Sequence, residues 1–187
     1  MIPIGLYIHI PFCSRKCGYC DFPSFEGRMG QRAPYVSRLL RELAAQADAL
    51  NHPRVDSVYI GGGTPSLLNP GQVAAILATV REQFDLTDDC EISCEANPGA
   101  LLPGWLQALK AGGANRLSLG AQSADEGLLR VLHRQHNWRQ VAKAVSVART
   151  AGFDNINIDL MLGIPGQTLS MWESTLEAAI ALEPEHL

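Results

Sequence analysis

The chain has 187 residues, of which 47% are hydrophobic, and this composition predicts one globular domain with a sizeable core rather than a disordered segment. Its formal net charge is −4, with acidic and basic side chains interspersed and no basic stripe to track a phosphate backbone, which argues against nucleic acid as a partner. Glycines and prolines interrupt the uncharged segment 57–80, and residues 1–4 carry no basic leader, so neither a membrane span nor a secretion signal is indicated and a cytoplasmic location is expected.

Five apolar runs rich in β-branched residues predict five strands, at 4–10, 55–60, 91–95, 116–120 and 155–161. A loop and a helical pattern follow each run, and spacing of 3.6 residues predicts helices over 36–50 and 73–84. Boundary residues agree with this alternation. Asn69 precedes Pro70 at a helix start, a capping box pairs Ser170 with Glu173, and Gly112 and Gly152 mark helix ends.

Alternating strands and helices predict an α/β fold with a parallel sheet, right-handed crossovers and ligands at the carboxyl ends of the strands. A weak internal repeat supports one repeating unit, because an Ala-Gly pair leads into a strand both at 111–119 and at 151–159. Residues 183–187 come where the repeat would begin another strand. The chain is therefore interpreted as one domain, residues 1–187, that is truncated at its C-terminal end.

Three of the five cysteines lie in one loop directly after the first predicted strand, as Cys13-x3-Cys17-x2-Cys20. Crowding and the odd total argue against a disulfide framework. Three thiolates can converge there, and because an iron–sulfur cubane normally takes four cysteines, three leave one iron open to an exchangeable ligand. The alternatives are a zinc site completed by a residue such as His9, or unligated thiols.

Other side chains in the loop suit a buried anionic cluster. The aromatic residues Phe12, Tyr19 and Phe22 are expected to shield it from water, and Arg15 and Lys16 to offset part of its negative charge.

Together with five segments of the chain, this loop resembles the radical SAM superfamily, where SAM is S-adenosylmethionine, and within it the oxygen-independent coproporphyrinogen III oxidase family. The segments are Tyr-Ile-His-Ile-Pro-Phe-Cys at 7–13, Gly-Gly-Gly-Thr-Pro-Ser at 61–66, Glu-Ala-Asn-Pro-Gly at 95–99, Arg-Leu-Ser-Leu-Gly-Ala-Gln-Ser at 116–123 and Asn-Ile-Asp-Leu-Met at 157–161. The match runs over nearly the whole chain. It implies a partial (β/α) barrel of radical SAM type, with five βα units of an expected six.

The resemblance implies that Cys13, Cys17 and Cys20 hold a [4Fe–4S] cluster. The methionine moiety of SAM would chelate the open iron, and an electron from the cluster would cleave SAM to a 5′-deoxyadenosyl radical. No catalytic side chain is assigned. The residues expected to contact these cofactors are Tyr7, Tyr19, Gly62, Gly63, Thr64, Glu95, Gln122, Arg134 and Asp159.

Residue chemistry alone leaves alternatives at several of these positions. Gly62 and Gly63 fit either a tight turn or a close approach of backbone to a ligand. Glu95 and Asp159 are costly to bury unpaired, so they suit ribose hydroxyls or an ammonium group, or else structural salt bridges. Arg134 lies between helical segments, where an exposed arginine needs no function.

Position 22 separates two functions within the family. The oxidases usually have one more cysteine two places after the third ligand, whereas Phe22 stands here, which is the pattern of the heme chaperones. The first hypothesis is therefore a protein that binds the cluster and SAM and delivers heme to acceptor proteins. The second is the oxidase, which decarboxylates two propionate side chains, and the third is another radical SAM enzyme or a zinc-bound remnant.

The chaperone hypothesis implies heme or porphyrin, heme-acceptor proteins and an electron donor as partners, and it allows peripheral membrane association of the full-length protein. The family's heme motif, His-Asn-x-x-Tyr-Trp, follows the region matched here, so the heme site is expected outside this chain. Among the remaining residues, Cys90 and Cys94 are predicted to pack in the core. His133, His136 and His186 are expected at the surface, without a role in heme ligation.

Overall fold

The computed structural model describes residues 2–187, and Met1, the first residue of the predicted domain, lies outside them. Its strands are β1 (Ile4–Ile10), β2 (Phe12–Cys13), β3 (Phe25–Glu26), β4 (Arg54–Gly62), β5 (Asp85–Ala96), β6 (Arg116–Gln122) and β7 (Ile156–Leu160). Its helices are α1 (Arg32–Ala49), α2 (Pro70–Gln83), α3 (Pro103–Ala111), α4 (Glu126–Val131), α5 (Trp138–Thr150) and α6 (Leu169–Ile180).

Five strands form one parallel sheet in the order β1-β4-β5-β6-β7, and β2 pairs with β3 in a short separate ribbon. Because the order is sequential and such crossovers are right-handed, the intervening helices lie on one face of the sheet. Helix α2 packs between α1 and α3 on that face. The predicted α/β fold with a parallel sheet is confirmed.

The two faces of the sheet differ in polarity. Side chains under the helices are apolar and almost fully buried, among them Ile60, Leu117 and Ile158. Cys90 and Cys94 are also buried, at 8% and 1% exposure, which confirms their placement in the core. The opposite, concave face carries polar side chains (Tyr7, Tyr59, Ser93, Ser118 and Asn157). This alternation differs from the continuous apolar runs of a sheet covered on both faces.

Three of the predicted helix boundaries are confirmed. Asn69 is the N-cap of α2 with Pro70 at the first helical position, and its side chain accepts a hydrogen bond from the Gln72 N–H at 2.8 Å. Helix α3 ends at Ala111 with Gly112 as its C-cap, and Gly152 follows α5 with φ +89°. A left-handed residue after a helix is the usual position for glycine.

The predicted capping box of α6 is wrong. Thr168, two residues before Ser170, caps this helix, and its hydroxyl accepts a hydrogen bond from the Met171 N–H at 3.2 Å. The helix therefore begins at Leu169, and Ser170 and Glu173 lie inside it. Thr168 is preferred because its backbone is extended, as an N-cap requires.

The last residues lie beside the edge of β7. His186 forms a parallel bridge with Asn157, and the Ile158 N–H donates to the His186 carbonyl at 3.1 Å. A salt bridge of 2.8 Å between Arg149 and Glu185 joins the same segment to α5. Residues 185–187 thus lie beside the β7 edge, at the place where the repeat predicts a further strand. Within residues 2–187, the helices are all too short or too polar to cross a membrane.

Candidate functional site

A cavity of about 270 Å³ opens at the carboxyl ends of the strands, between the cysteine loop and the ends of β4, β5, β6 and β7. Eleven of the twelve residues predicted for the site line it, and only Tyr7 does not. The eleven are Cys13, Cys17, Tyr19, Cys20, Gly62, Gly63, Thr64, Glu95, Gln122, Arg134 and Asp159. Segments far apart in sequence meet here because parallel strands end at one edge of a sheet.

The three cysteines of the loop are free thiols. Cys13 is buried at the end of β2, and the Thr64 hydroxyl lies 3.8 Å from its Sγ. Cys17 and Cys20 are half-buried, and the Cys20 N–H donates to the Cys17 carbonyl at 3.1 Å, which closes a tight turn between them. The loop therefore presents three thiols to one cavity.

The turn between α4 and α5 supports this loop from the side. Gly18 donates its N–H to the Leu132 carbonyl at 3.3 Å, and the Ser14 hydroxyl donates to the Gln135 side chain at 3.2 Å. Arg134 reaches further, with Nη1 3.3 Å from the Cys17 Sγ and Nη2 bonded to the Gly120 carbonyl. Arg134 is thus not the exposed arginine that its position between helices allowed, because it joins the end of β6 to the thiol loop.

Glycines 62 and 63 are required by close packing within the chain itself. A Cβ on Gly62, where φ is +110°, would lie 2.5 Å from the His9 ring, and one on Gly63 would lie 2.7 Å from the Phe12 carbonyl oxygen. The Gly63 N–H donates to the Ile10 carbonyl at 2.8 Å. These contacts favour the tight-turn interpretation, since the space of the missing side chains is filled by the cysteine loop and its neighbours.

Two half-buried carboxylates face the cavity from neighbouring parts of the sheet. Glu95 accepts hydrogen bonds from the Tyr59 hydroxyl at 2.8 Å and from the Gly62 N–H at 3.1 Å. Asp159 accepts from the Ser118 hydroxyl at 3.0 Å and from the Asn157 side chain. Burial raises the pKa of both carboxyl groups, and these hydrogen bonds oppose the rise.

Neither carboxylate forms a salt bridge within 4.0 Å among residues 2–187, so the structural alternative of ion pairing is not supported. Each has accepted two hydrogen bonds and retains further acceptor capacity. Carboxylates in this state suit donors such as sugar hydroxyls or an ammonium group.

Gln122 has a strained backbone at the mouth of the cavity. Its φ is +68°, and the register between β6 and β7 shifts between Gly120 and Gln122. The Gln122 carbonyl accepts from the Met161 N–H at 2.9 Å, which holds this conformation. A non-glycine residue with positive φ beside a β-bulge is a frequent feature of ligand sites.

The two predicted tyrosines differ in position. Tyr7 lies on the concave face of β1, 54% exposed, where its ring stacks on Tyr59 at 6.1 Å and its hydroxyl is 3.1 Å from His9 Nδ1. Tyr7 therefore contacts Tyr59 and His9 and does not line the cavity. Tyr19 lines the cavity, and burial, opposed by the Arg134 charge and assisted by the neighbouring thiols, raises its pKa to about 12.

The position of His136 differs from the surface position predicted from the sequence. It is buried rather than at the surface, and its Nε2–H donates to the Ala121 carbonyl at 3.0 Å. Burial and the Arg134 charge lower its pKa to about 4. No local pattern marks this position, because its partner lies on β6. Asn97, Pro65 and Gly120 also line the cavity, and all three fall within segments that carry the family resemblance.

The donor set fits a cluster better than a single metal ion. In residues 2–187, no three His, Cys, Asp or Glu side chains converge closely enough to bind one ion. His9, the proposed fourth zinc ligand, has its ring nitrogens engaged by Tyr7 and by the Pro23 carbonyl at 2.9 Å. A cubane spreads its thiolates over separate irons, so wider sulfur spacing suits it, and Arg134 beside Cys17 suits its negative charge.

Comparison with known proteins agrees with this geometry. The model of the radical SAM superfamily matches residues 7–179. The heme chaperone HemW of Escherichia coli K12 is 39% identical over 187 residues, covering 99% of this chain and 49% of the relative. HemW of Mycobacterium tuberculosis H37Rv is 38% identical over 188 residues, covering 99% and 48%. The chain thus spans about half the length of the curated relatives it matches.

Solved structures share the fold. Coproporphyrinogen III oxidase (HemN) from E. coli, a radical SAM enzyme, superposes with a TM-score of 0.89 at 33% identity and covers 98% of this chain and 42% of that chain. The methyltransferase TsrM from Kitasatospora setae, solved with cobalamin and a [4Fe–4S] cluster, superposes with a TM-score of 0.65 at 16% identity, covering 96% and 35%. The second match concerns the fold alone.

Proposed function

The chain belongs to the radical SAM superfamily, and from this premise we propose that it is the core of a heme chaperone that binds a [4Fe–4S] cluster and SAM and delivers heme to acceptor proteins. Membership in this superfamily implies both cofactors. The residues of the cavity fit them, since three free thiols, an arginine and two carboxylates without salt bridges face one space.

Cys13, Cys17 and Cys20 are the proposed cluster ligands. When bound, the cluster and SAM supply one-electron reductive chemistry. Arg134 offsets negative charge at Cys17 and ties the loop to β6, so its proposed role is to position the loop. Thr64 borders Cys13, and Tyr19 restricts the entry of water.

The proposed SAM contacts divide by chemistry. Glu95 and Asp159 accept from the ammonium group and the ribose hydroxyls, and Gln122 contributes a side-chain amide at the bulge. Gly62 and Gly63 act by letting the strand end approach the cysteine loop, as their contacts with His9 and Phe12 support. Tyr7 is proposed to act indirectly. Its ring stacks on Tyr59, and the Tyr59 hydroxyl donates a hydrogen bond to Glu95, which lines the cavity.

The observation that carries the choice of chaperone over oxidase is Phe22. This side chain lines the cavity, 56% exposed, where the oxidases usually have a further cysteine. An aromatic ring supplies apolar surface and no thiol. The identity to the curated heme chaperones, 39% for the E. coli protein, agrees with this choice.

Oxidase activity is the second candidate, favoured by the close superposition on HemN. Either function requires an electron donor if the cluster is to be reduced, and the chaperone requires heme and an acceptor protein. We place the protein in the cytoplasm.

The test uses the full-length gene product with its cluster rebuilt anaerobically. Incubation with SAM, reductant and coproporphyrinogen III should yield no protoporphyrinogen, whereas heme should be bound and passed to an apo-hemoprotein. The Cys17→Ala variant should lose its iron and sulfide, and Cys90→Ala, which removes a core thiol, should keep them. Protoporphyrinogen together with 5′-deoxyadenosine would establish an oxidase and refute the chaperone.

A further inference from the structure

A second cavity lies on the far side of the cysteine loop from the proposed SAM site. It has a volume of about 580 Å³, within the range of small-molecule sites, and shares no lining residue with the first cavity. The β2–β3 ribbon forms one wall, and the loop into α1 with the first turn of that helix forms the other. Its lining residues are Pro11, Phe12, Phe25, Arg28, Gln31, Pro34 and Tyr35.

The walls of this second cavity, called the groove from here on, are mainly apolar and aromatic. Phe12 and Tyr35 meet edge to face, with ring centroids 5.3 Å apart, and both are held from below by the core. Phe25, the partner of Phe12 in the ribbon, has 55% of its surface exposed, and its N–H donates to the Pro11 carbonyl at 2.8 Å. An aromatic side chain fixed in a ribbon but left half in solvent offers a flat apolar surface to a ligand.

The rim of the groove is cationic. Arg28 lines it and is exposed, and Arg38 lies one helical turn beyond Pro34 on the same face of α1. Neither arginine forms a salt bridge among residues 2–187. Glu26, next to Phe25, accepts a hydrogen bond from the Lys16 N–H at 3.2 Å. Two arginines without ion-pair partners at an apolar groove suit a flat apolar ligand that carries carboxylates.

We propose that this groove binds a porphyrin, with the macrocycle against Phe25, Pro34 and Tyr35 and the propionates at Arg28 and Arg38. The choice of porphyrin rests on the proposed function, and the groove is additional to the heme site expected beyond this chain. No lining residue is His, Cys or Met, and the Tyr35 hydroxyl donates to the His9 carbonyl at 2.6 Å. Binding is therefore independent of the central metal.

The groove is also joined to the cluster loop. Phe12 precedes Cys13, and its carbonyl accepts the Thr64 N–H at 2.8 Å, so one short strand forms a wall of both cavities. A porphyrin in the groove would lie against the backbone that carries the first cluster ligand.

The probe is metal-free protoporphyrin IX, which no axial ligand can hold, titrated by fluorescence against the full-length protein with its cluster in place. Phe25→Ser and Arg28→Glu should each raise its Kd by about tenfold, since one removes stacking and the other reverses a charge. Arg139→Glu, an exposed charge reversal on α5 that lines neither cavity, should leave the Kd unchanged. Iron content verifies that each variant is folded.

Three outcomes would contradict porphyrin binding in the groove. An unchanged Kd in both variants would show that the porphyrin does not bind in the groove, either because it binds elsewhere or because the rest of the full-length protein covers Phe25. Hemin binding without protoporphyrin IX binding would also overturn it and would leave the chaperone function intact. Failure to bind either porphyrin would refute the groove and the chaperone together.

Discussion

The titratable residues of the site owe their properties to contacts across the sheet. Glu95 and Asp159 are half-buried with hydrogen bonds from Tyr59 and Ser118, and Arg134 spans from Gly120 to Cys17. Each polar group thus has partners on another element. Because the groups are partly buried, where the local dielectric is low, these hydrogen bonds are stronger than they would be in water. His136 is the clearest example, since its single hydrogen bond to β6 accompanies a pKa of about 4.

We predict that His136 makes the free energy of unfolding depend on pH between about 4 and 6.5. Its folded pKa lies below the unfolded value of 6.5, so the unfolded state binds more protons in this window and stability falls as the pH falls. The loss is on the order of 3 kcal/mol for the whole window.

His136→Gln keeps a donor for Ala121 and cannot titrate. Urea unfolding of variant and parent at several pH values, compared by difference, removes the contributions of Glu95 and Asp159. An identical pH slope for the two proteins would contradict the prediction.

At the scale of elements, the end of β4 is the most constrained segment. The N–H groups of Gly63 and Thr64 donate to the carbonyls of Ile10 and Phe12, and the Gly62 N–H donates to the Glu95 carboxylate. The strand end therefore holds both the start of the cysteine loop and one carboxylate. The geometry leaves no room for a side chain at Gly62 or Gly63. The glycines act by shaping the protein before any ligand arrives.

Gly63→Ala is therefore expected to lower the free energy of unfolding by roughly 2–4 kcal/mol and to impair cluster assembly, because its Cβ would overlap backbone atoms of Phe12 and Ile10. Thermal unfolding and iron analysis measure the two effects.

Gly71→Ala is the matched control. Its Cβ would meet only the Asn69 side chain, at an ordinary 3.5 Å, in the first turn of α2. Alanine should be neutral or stabilise there by up to about 1 kcal/mol. Equal stability of the two variants would show that Gly63 is not confined as described.

For the whole molecule, the sheet runs from β1 at one edge to β7 at the other, and residues 185–187 lie beside the β7 edge. The Ile156 N–H donates to the Glu185 carboxylate at 2.8 Å, and Arg149 binds the same side chain. The Arg149 hydrogen bond lowers the pKa of Glu185, so the carboxylate stays ionised to a lower pH than an ordinary glutamate. This contact connects α5, β7 and the segment that follows α6.

Glu185→Ala should accelerate hydrogen exchange of the Ile156 amide by at least about tenfold, because the mutation removes its acceptor. The Leu119 amide, in the centre of the sheet, should exchange as slowly as in the parent. Glu173→Ala, an exposed glutamate on α6, is the control. Unaltered exchange at Ile156 would exclude the proposed connection.

The sequence by itself determined the parallel α/β fold, the cysteine loop and the family, because these depend on short spacings and local patterns. Asn69-Pro70 starts a helix whatever surrounds it, and Cys13, Cys17 and Cys20 lie within eight positions. Only the tertiary structure decided that Arg134 contacts Cys17, that His136 is buried, and that Gly63 packs on Phe12. These facts depend on partners from 15 to 117 residues away, and no pattern within one segment records which distant atoms will fill the space around a side chain.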